Sequence, residues 1–531
     1  MTTLAISQAL SLSFVRRGII AILVPACIFQ CLFVICDLDR FLSVFYCVAG
    51  TLLLLTVFDR KTLAKNPLSS LVVMGFGFTH FFFPIVFTSI MGRSVAHRMN
   101  IPHVVFGWAL MTFGFVVLLH KLYCKADFIQ IPRIEIQKRV FTPAGLFTPP
   151  KNSQLWIMGS LGLFATYLNV SRGGNVPEIM MKVVDGFFPF SFVPFFLLIQ
   201  PSWGAQKNLK SGNIVALACF TAIMFFIAMA SGRRGYVVFG FVNAGLIYFL
   251  SLCTGALAKP KVRPVLLVMG TILCLIFIPL LLQAFRAAQI SRHDPSVSLS
   301  QRFAQFWIAF QDRQSSRDHN EAVEALTLKY GLWDEDYSGN EFFNRLSNPR
   351  MHDNLMSVVF ELQEADLVSV RELDYRRALA TLPSPVLQSL GVSIDKKKTI
   401  GGSVADYIWI LRNNTPWTFG EFKAGSLMAS TYCYVGSFFP VIIAAMAMPV
   451  FFLSDLLALR VRVARNEFKT IIPLIGYLQG FSLFSTFSTS TTMESPSTLL
   501  GAVSRGFLQT MVLYWVVFHL TALPRRHPTK K

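Results

Sequence analysis

Two adjacent arginines set between glycines, Ser231-Gly232-Arg233-Arg234-Gly235, are the densest chemical feature of the sequence. Guanidinium is permanently charged and grips phosphate oxygens through two parallel hydrogen bonds, and glycine lets main chain come close to the same anion. The same pentapeptide also suits a tight turn whose side chains snorkel to an interface. A second series, Arg286, Arg292, Arg302, Arg313 and Arg317, follows an apolar run. Arg286 stands where that run ends, placed to hold an anionic headgroup or to anchor a helix end. The others have Asp294, Asp312 and Asp318 nearby as ion-pair partners. A third group is Asn344-Arg345-Leu346-Ser347 followed by Arg350, His352, Asp353 and Asn354. Arg, His and Asp together suit sugar hydroxyls and a general base, with His352, Asp353 and Glu421 as the base candidates. Asp353 or Asn354 would equally cap a polar helix start. Glu361, Glu364 and Asp366 are further acids. No H-E-x-x-H, G-x-S-x-G or Walker sequence is present, and the nine cysteines sit in or beside apolar stretches without metal-ligand spacing, so no metal or cofactor is expected.

The elements that must position these groups are membrane spans. Of 531 residues, 53% are hydrophobic and 14% charged, against about 25% charged in soluble domains. Apolar runs of about 18 residues or more are long enough to cross a roughly 30 Å hydrocarbon core. They are expected at 18–36, 41–58, 70–91, 101–120, 154–170, 187–200, 213–230, 236–254, 264–285, 430–454, 471–489 and 506–523. The first follows Arg16-Arg17 with no small-residue cleavage site after it, and reads as a retained signal anchor. The expected fold is all-α: a polytopic bundle of about twelve spans, divided into residues 1–285 with nine spans, a long helical loop at 286–429, and 430–531 with three spans and a tail.

Charge orients the bundle. The formal net charge is +20, yet residues 286–429 hold 16 Lys+Arg and 18 Asp+Glu, so the excess lies in the short loops. With the N-terminus inside, 24 basic residues fall on inside loops and eight outside: Arg40, Arg93, Arg98, Arg172, Lys182, Arg233, Arg234 and Arg505. This places both termini in the cytoplasm and the long loop on the opposite side. It also disfavours nucleic acid as the partner of the basic residues. Within the loop, Leu299, Phe303, Phe306, Trp307 and Phe310 recur at helical spacing, and a second helix is expected near Asn354 to Asp366 with Leu355, Val358, Val359 and Leu362 on one side. The spans carry His80, His120 and His519 but essentially no central acid or base, which points to a site at the outer surface and away from an ion-coupled carrier.

The order of motifs resembles the bacterial O-antigen polymerase family. The likeness is carried by Ser-Gly-Arg-Arg-Gly at 231–235, Asn-Arg-Leu-Ser at 344–347, Leu382-Pro383-Ser384-Pro385 followed by Lys396 to Lys398, and Tyr432-Cys433-Tyr434-Val435-Gly436 opening the span after the loop. The resemblance implies a glycosyltransferase of the bacterial inner membrane, acting at the periplasmic face on undecaprenyl-diphosphate-linked oligosaccharides as both donor and acceptor. It implies a metal-independent reaction in which arginines hold the diphosphate. Arg233, Arg234 and Arg345 are implicated by position, Lys396 to Lys398 less directly, and Arg286 and Arg302 by their place at the loop's mouth. A flippase and a chain-length regulator are the implied partners besides membrane lipid. An O-antigen ligase of the same architecture is the nearest alternative. A flippase or exporter of lipid-linked oligosaccharide is the alternative of another class, and it would call for two similar halves and a charged central cavity.

Overall fold

Main chain that enters lipid must satisfy its N–H and C=O groups within its own segment, so apolar runs of this length fold as helices. The computed structural model describes residues 3–34, 37–171, 184, 186–202, 211–231, 235–254, 301, 304, 307–308, 333–347, 349–382, 384–416, 419–464, 467–488 and 493–522, and it is mostly helical, at 78%. Six helices are long and apolar enough to cross a membrane by length and composition: Leu12–Phe33, Leu38–Leu55, Pro67–Ile90, Pro102–Lys125, Leu427–Leu456 and Pro496–Thr521. They fall on the first four, the tenth and the twelfth expected spans. The fifth is the 20-residue helix Asn152–Ser171, and the sixth to eighth coincide with shorter apolar helices, Phe188–Leu198, Gly212–Ile227 and Val242–Ser251. The eleventh is built as two short helices, Leu474–Leu478 and Gly480–Phe484. The ninth, 264–285, lies outside the described residues, as does most of the helix expected around Leu299 to Phe310.

The chain forms two compact units. The first comprises Met1–Gln130, Ala325–Asp455 and Ser482–Arg505. Its most enclosed span is Pro67–Ile90, with 89% of its apolar window buried. Glycines allow the close approach: a Cβ at Gly50 would strike the Phe81 ring, and one at Gly75 would strike the Phe484 carbonyl. The span is interrupted by a π-helical turn, Phe78–Phe82, in which His80 stacks on Phe76 with ring centroids 4.2 Å apart. Gln30 of the first helix is fully buried. Its amide nitrogen reaches Thr88 Oγ1 (3.3 Å), Ser89 Oγ (3.0 Å) and the Arg93 carbonyl (2.9 Å), while its oxygen accepts the Val95 N–H (2.9 Å). Toward the opposite end of the Pro67–Ile90 span, buried Asp455 accepts the Ser69 N–H and the Tyr123 hydroxyl, each at 3.1 Å.

A helical cap is made by Glu341–Leu346, Pro349–Val359, Glu364–Ala380, Ser384–Ser389, Lys396–Ile400 and Val404–Asn413, and it meets the turn at 91–101 through Tyr337 and Asp353. The helix expected near Asn354 to Asp366 forms earlier, at Pro349–Val359, with Leu355, Val358 and Val359 buried and the chain turning before Leu362. A fresh helix starts at Glu364, where Gln363 and Asp366 exchange side-chain and main-chain hydrogen bonds in a capping box.

The second unit comprises Ile131–Glu324, Leu456–Phe481 and Gly506–Lys531. Phe192, Phe195, Leu217, Phe220 and Met224 form a core cluster in it. Gly162 lets its helix press on the main chain at Phe190 and Ser191. Two antiparallel strands, β1 (Leu459–Ala464) and β2 (Glu467–Ile471), form a hairpin where the sequence suggested only a basic inside loop. Gln137 secures the approach to β1 by donating to the carbonyls of Leu456 (3.0 Å) and Ala458 (2.9 Å).

Candidate functional site

Charge in the first unit collects where the cap meets the turn between Pro67–Ile90 and Pro102–Lys125. Arg93, His97 and Arg98 come from the turn. The cap supplies Arg350 at the start of its second helix and Asp334 and Asp336 from the segment before its first. The turn is shaped from below by Gln30 and from above by Tyr337, whose buried hydroxyl donates to the Val95 carbonyl at 2.5 Å. Arg98 takes a left-handed φ of 59°, a conformation that non-glycine residues adopt at a cost. The acid-bearing segment is folded around Asn344. Its side-chain oxygen accepts the N–H groups of Tyr337 (3.3 Å) and Ser338 (2.7 Å), and its amide donates to Asp336 Oδ1 (2.8 Å). Gly339, at φ +78°, lies where a Cβ would come within 2.6 Å of the Arg93 guanidinium.

Several ion pairs in this cluster are long, although Arg350 also pairs with Asp353 at 3.2 Å. Arg93 stands 3.8 Å from Asp336, Arg98 is 3.6 Å from Asp336 and 3.8 Å from Asp334, and Arg350 is 3.9 Å from Asp334. Direct hydrogen bonds between such groups close to 2.7–2.9 Å. Buried polar atoms are left over: among the described residues, Arg93 Nη1, His97 Nε2 and Arg350 Nε have no hydrogen-bond partner, and neither does Asp334 Oδ2. Burial, with Arg93 and Arg98 adding to it, lowers the His97 pKa, so the ring stays neutral and keeps one N–H to offer. Burial raises Asp334, against the pull of the Asp336 N–H, Arg350 and Arg98. Among the described residues, several guanidinium and imidazole N–H groups converge here without a hydrogen-bond partner, the kind of donor set that can bind an anion's oxygens.

Asp353 ties this cluster to the membrane helices. It is buried, its Oδ2 accepts the Asn100 N–H (2.7 Å) and its Oδ1 the Ile101 N–H (2.8 Å), at the start of Pro102–Lys125, and Arg350 Nη1 adds an ion pair at 3.2 Å. Burial still raises its pKa over those three opposing contacts. His352 is buried with Nδ1 2.7 Å from Ser426 Oγ and its ring 4.8 Å from that of His80. Burial first, and His80 second, hold its pKa well down. Glu421 is exposed and pairs with Lys423. Among the three base candidates, Glu421 is the one whose carboxylate faces solvent.

Arg345 falls in the Glu341–Leu346 helix, beside the turn that Asn344 organises. Lys396 donates to the Leu382 carbonyl at 2.8 Å, which joins the two parts of one sequence motif. Arg233, Arg234, Arg286 and Arg302 lie outside the described residues. Sequence reasoning placed Arg93 and Arg98 on the outer side and Arg350 beside the 344–347 motif, but it did not join them. Two arginines standing against the orientation bias in one short loop were the signal that would have done so. No group of three or more His, Cys, Asp or Glu side chains suited to a metal ion occurs among the described residues. Compared with known proteins, the chain matches no family model, no curated protein and no solved structure.

Proposed function

We propose that the protein is a membrane glycosyltransferase that polymerises undecaprenyl-diphosphate-linked oligosaccharide units at the periplasmic face of a bacterial inner membrane. The observation that supports this reading is the convergence of Arg93, Arg98, Arg350 and His97 at the end of an apolar helix bundle, beneath a polar cap, with long ion pairs and, among the described residues, buried N–H groups of Arg93, His97 and Arg350 left without a hydrogen-bond partner. A lipid-linked diphosphate joins an apolar tail to a hydrophilic glycan, so its phosphates belong at such a seam. In the reaction the acceptor hydroxyl oxygen bonds to the anomeric carbon of the donor sugar, the bond from that carbon to the diphosphate oxygen breaks, and the hydroxyl proton passes to a base. Negative charge grows on the departing diphosphate, and fixed cations around it lower the barrier. In this reading Arg93, Arg98 and Arg350 hold the diphosphate, Arg233, Arg234, Arg286, Arg302 and Arg345 are further candidates for the same task, and solvent-facing Glu421 is the candidate base. The test is a chain-length ladder from cells carrying Arg93→Gln or Arg98→Gln. Removing one such donor from a transition state costs about 10²–10³ in rate, so long chains should disappear while the protein stays in the membrane. Wild-type ladders from both variants would overturn the assignment.

A further inference from the structure

The acids at the arginine seam differ in what their oxygens do. Asp353 spends both on main chain, Oδ2 on the Asn100 N–H and Oδ1 on the Ile101 N–H, and Oδ2 also meets Arg350 Nη1 at 3.2 Å. Asp336 turns Oδ1 to its own segment, accepting the Gly339 N–H and the Asn344 amide, each at 2.8 Å, and leaves Oδ2 toward Arg93 and Arg98. Asp334 Oδ1 accepts the Asp336 N–H at 2.9 Å. Its Oδ2 is buried and, among the described residues, accepts no hydrogen bond, yet it stands 3.8 Å from Arg98 and 3.9 Å from Arg350. The main chain around Asp334 is pinned, which keeps the carboxylate from closing on either guanidinium. Asn354 donates to the Asp334 carbonyl at 2.6 Å, and the Trp333 indole and the Ala424 N–H both donate to Glu335 Oε1, at 2.9 Å and 3.4 Å.

A carboxylate at that separation acts through its charge and not through hydrogen bonds. It cancels part of the guanidinium field, while Arg93 Nη1, Arg350 Nε and His97 Nε2 keep their N–H groups without a hydrogen-bond partner among the described residues. An anion filling those donors would lie beside Asp334 and Asp336 and be repelled by both. Neutralising such a carboxylate strengthens anion binding. Removing a carboxylate whose task is structural leaves anion binding equal or poorer, so the two roles differ in sign.

We infer that Asp334 is a built-in competitor for the anion that the arginine seam binds: its carboxylate, reinforced by Asp336, offsets enough guanidinium charge for one diphosphate to leave before the next arrives. Diphosphate as the anion rests on the proposed polymerisation, whereas the competition rests on the distances themselves. Held too firmly, a departing diphosphate would block each round of chain growth, because binding that is no stronger in the transition state than on either side of it adds nothing to turnover. Asp353 has no such role, since its charge is matched by two N–H groups and Arg350.

Isothermal titration of the full-length protein in lipid nanodiscs with inorganic pyrophosphate reads the competition. Asp334→Asn keeps an oxygen for the Asp336 N–H and removes the charge, so pyrophosphate should bind about tenfold tighter than to wild type, within what unit charges a few ångströms apart exchange. Adding Arg98→Gln should abolish the gain. Unchanged or weaker binding in Asp334→Asn overturns the proposal, as does a protein that binds no pyrophosphate in either form. Should Asp334→Asn fail to fold, Asp336→Asn decides by the same criterion. Polysaccharide ladders separate this outcome from that of the polymerisation. Tighter binding with slowed chain growth in Asp334→Asn supports release as the task of the carboxylate, and tighter binding with a normal rate of growth, where Arg98→Gln abolishes long chains, overturns that task. Tighter binding with ladders unchanged in Asp334→Asn and Arg98→Gln alike upholds the competition and refutes the polymerisation.

Discussion

Gly339 shows how much one missing carbon can control. Its φ of +78° is a conformation that side chains resist, and the space a Cβ would take belongs to the Arg93 guanidinium. Gly339→Ala therefore meets two penalties: about 1–2 kcal/mol of left-handed backbone strain, and a push on the arginine. The expected outcome is membrane levels close to normal with long-chain product sharply reduced, measured by immunoblot and polysaccharide ladder on the same cells. Normal ladders would detach Arg93 from the chemistry. At this scale the sequence was only partly legible. Asp353 had the neighbours of a general base, Arg350 and His352. Its oxygens are instead committed to the N–H groups of Asn100 and Ile101, more than 250 residues earlier in the chain. Nothing local to residue 353 announces that contact. Buried Glu494, which accepts Arg377 and the N–H groups of Val404 and Ala405, escaped notice for the same reason, since these partners belong to another part of the chain.

Among elements, apolar length was the readable signal and secondary detail was not. The helices at 67–90 and 102–125 stand within a few residues of their expected places because an uninterrupted hydrophobic run has one conformation available in lipid. The β1–β2 hairpin was missed although Leu459, Val461 and Val463 alternate with Arg460 and Arg462, a period-two pattern that was counted only as loop charge. The π turn at Phe78–Phe82 has no sequence signature at all. It is a product of packing, in a span held so close to its neighbours that Gly75 touches the Phe484 main chain. Gly75→Ala should force those segments apart and destabilise the unit by about 1–3 kcal/mol, the usual cost of overpacking. The thermal midpoint of the purified protein should drop accordingly, and an unchanged midpoint would mean the contact yields freely.

For the whole molecule, the distribution of charge predicts a topology that the helices alone leave open. Twenty-four basic residues on one set of short loops and eight on the other predict that the cap lies outside. A single cysteine introduced as Asn340→Cys, in a variant cleared of its nine natural cysteines, should react with a membrane-impermeant maleimide from the periplasmic side. Labelling that requires a permeabilised inner membrane would invert the orientation. Gln30 carries a further consequence at this scale, for biogenesis. A primary amide released into hydrocarbon without partners is costly, and its partners at Thr88, Ser89, Arg93 and Val95 are synthesised 58 to 65 residues later. The first helix is therefore expected to dock only once the third has emerged, which would make translation order, as well as hydrophobicity, a determinant of how this bundle is assembled.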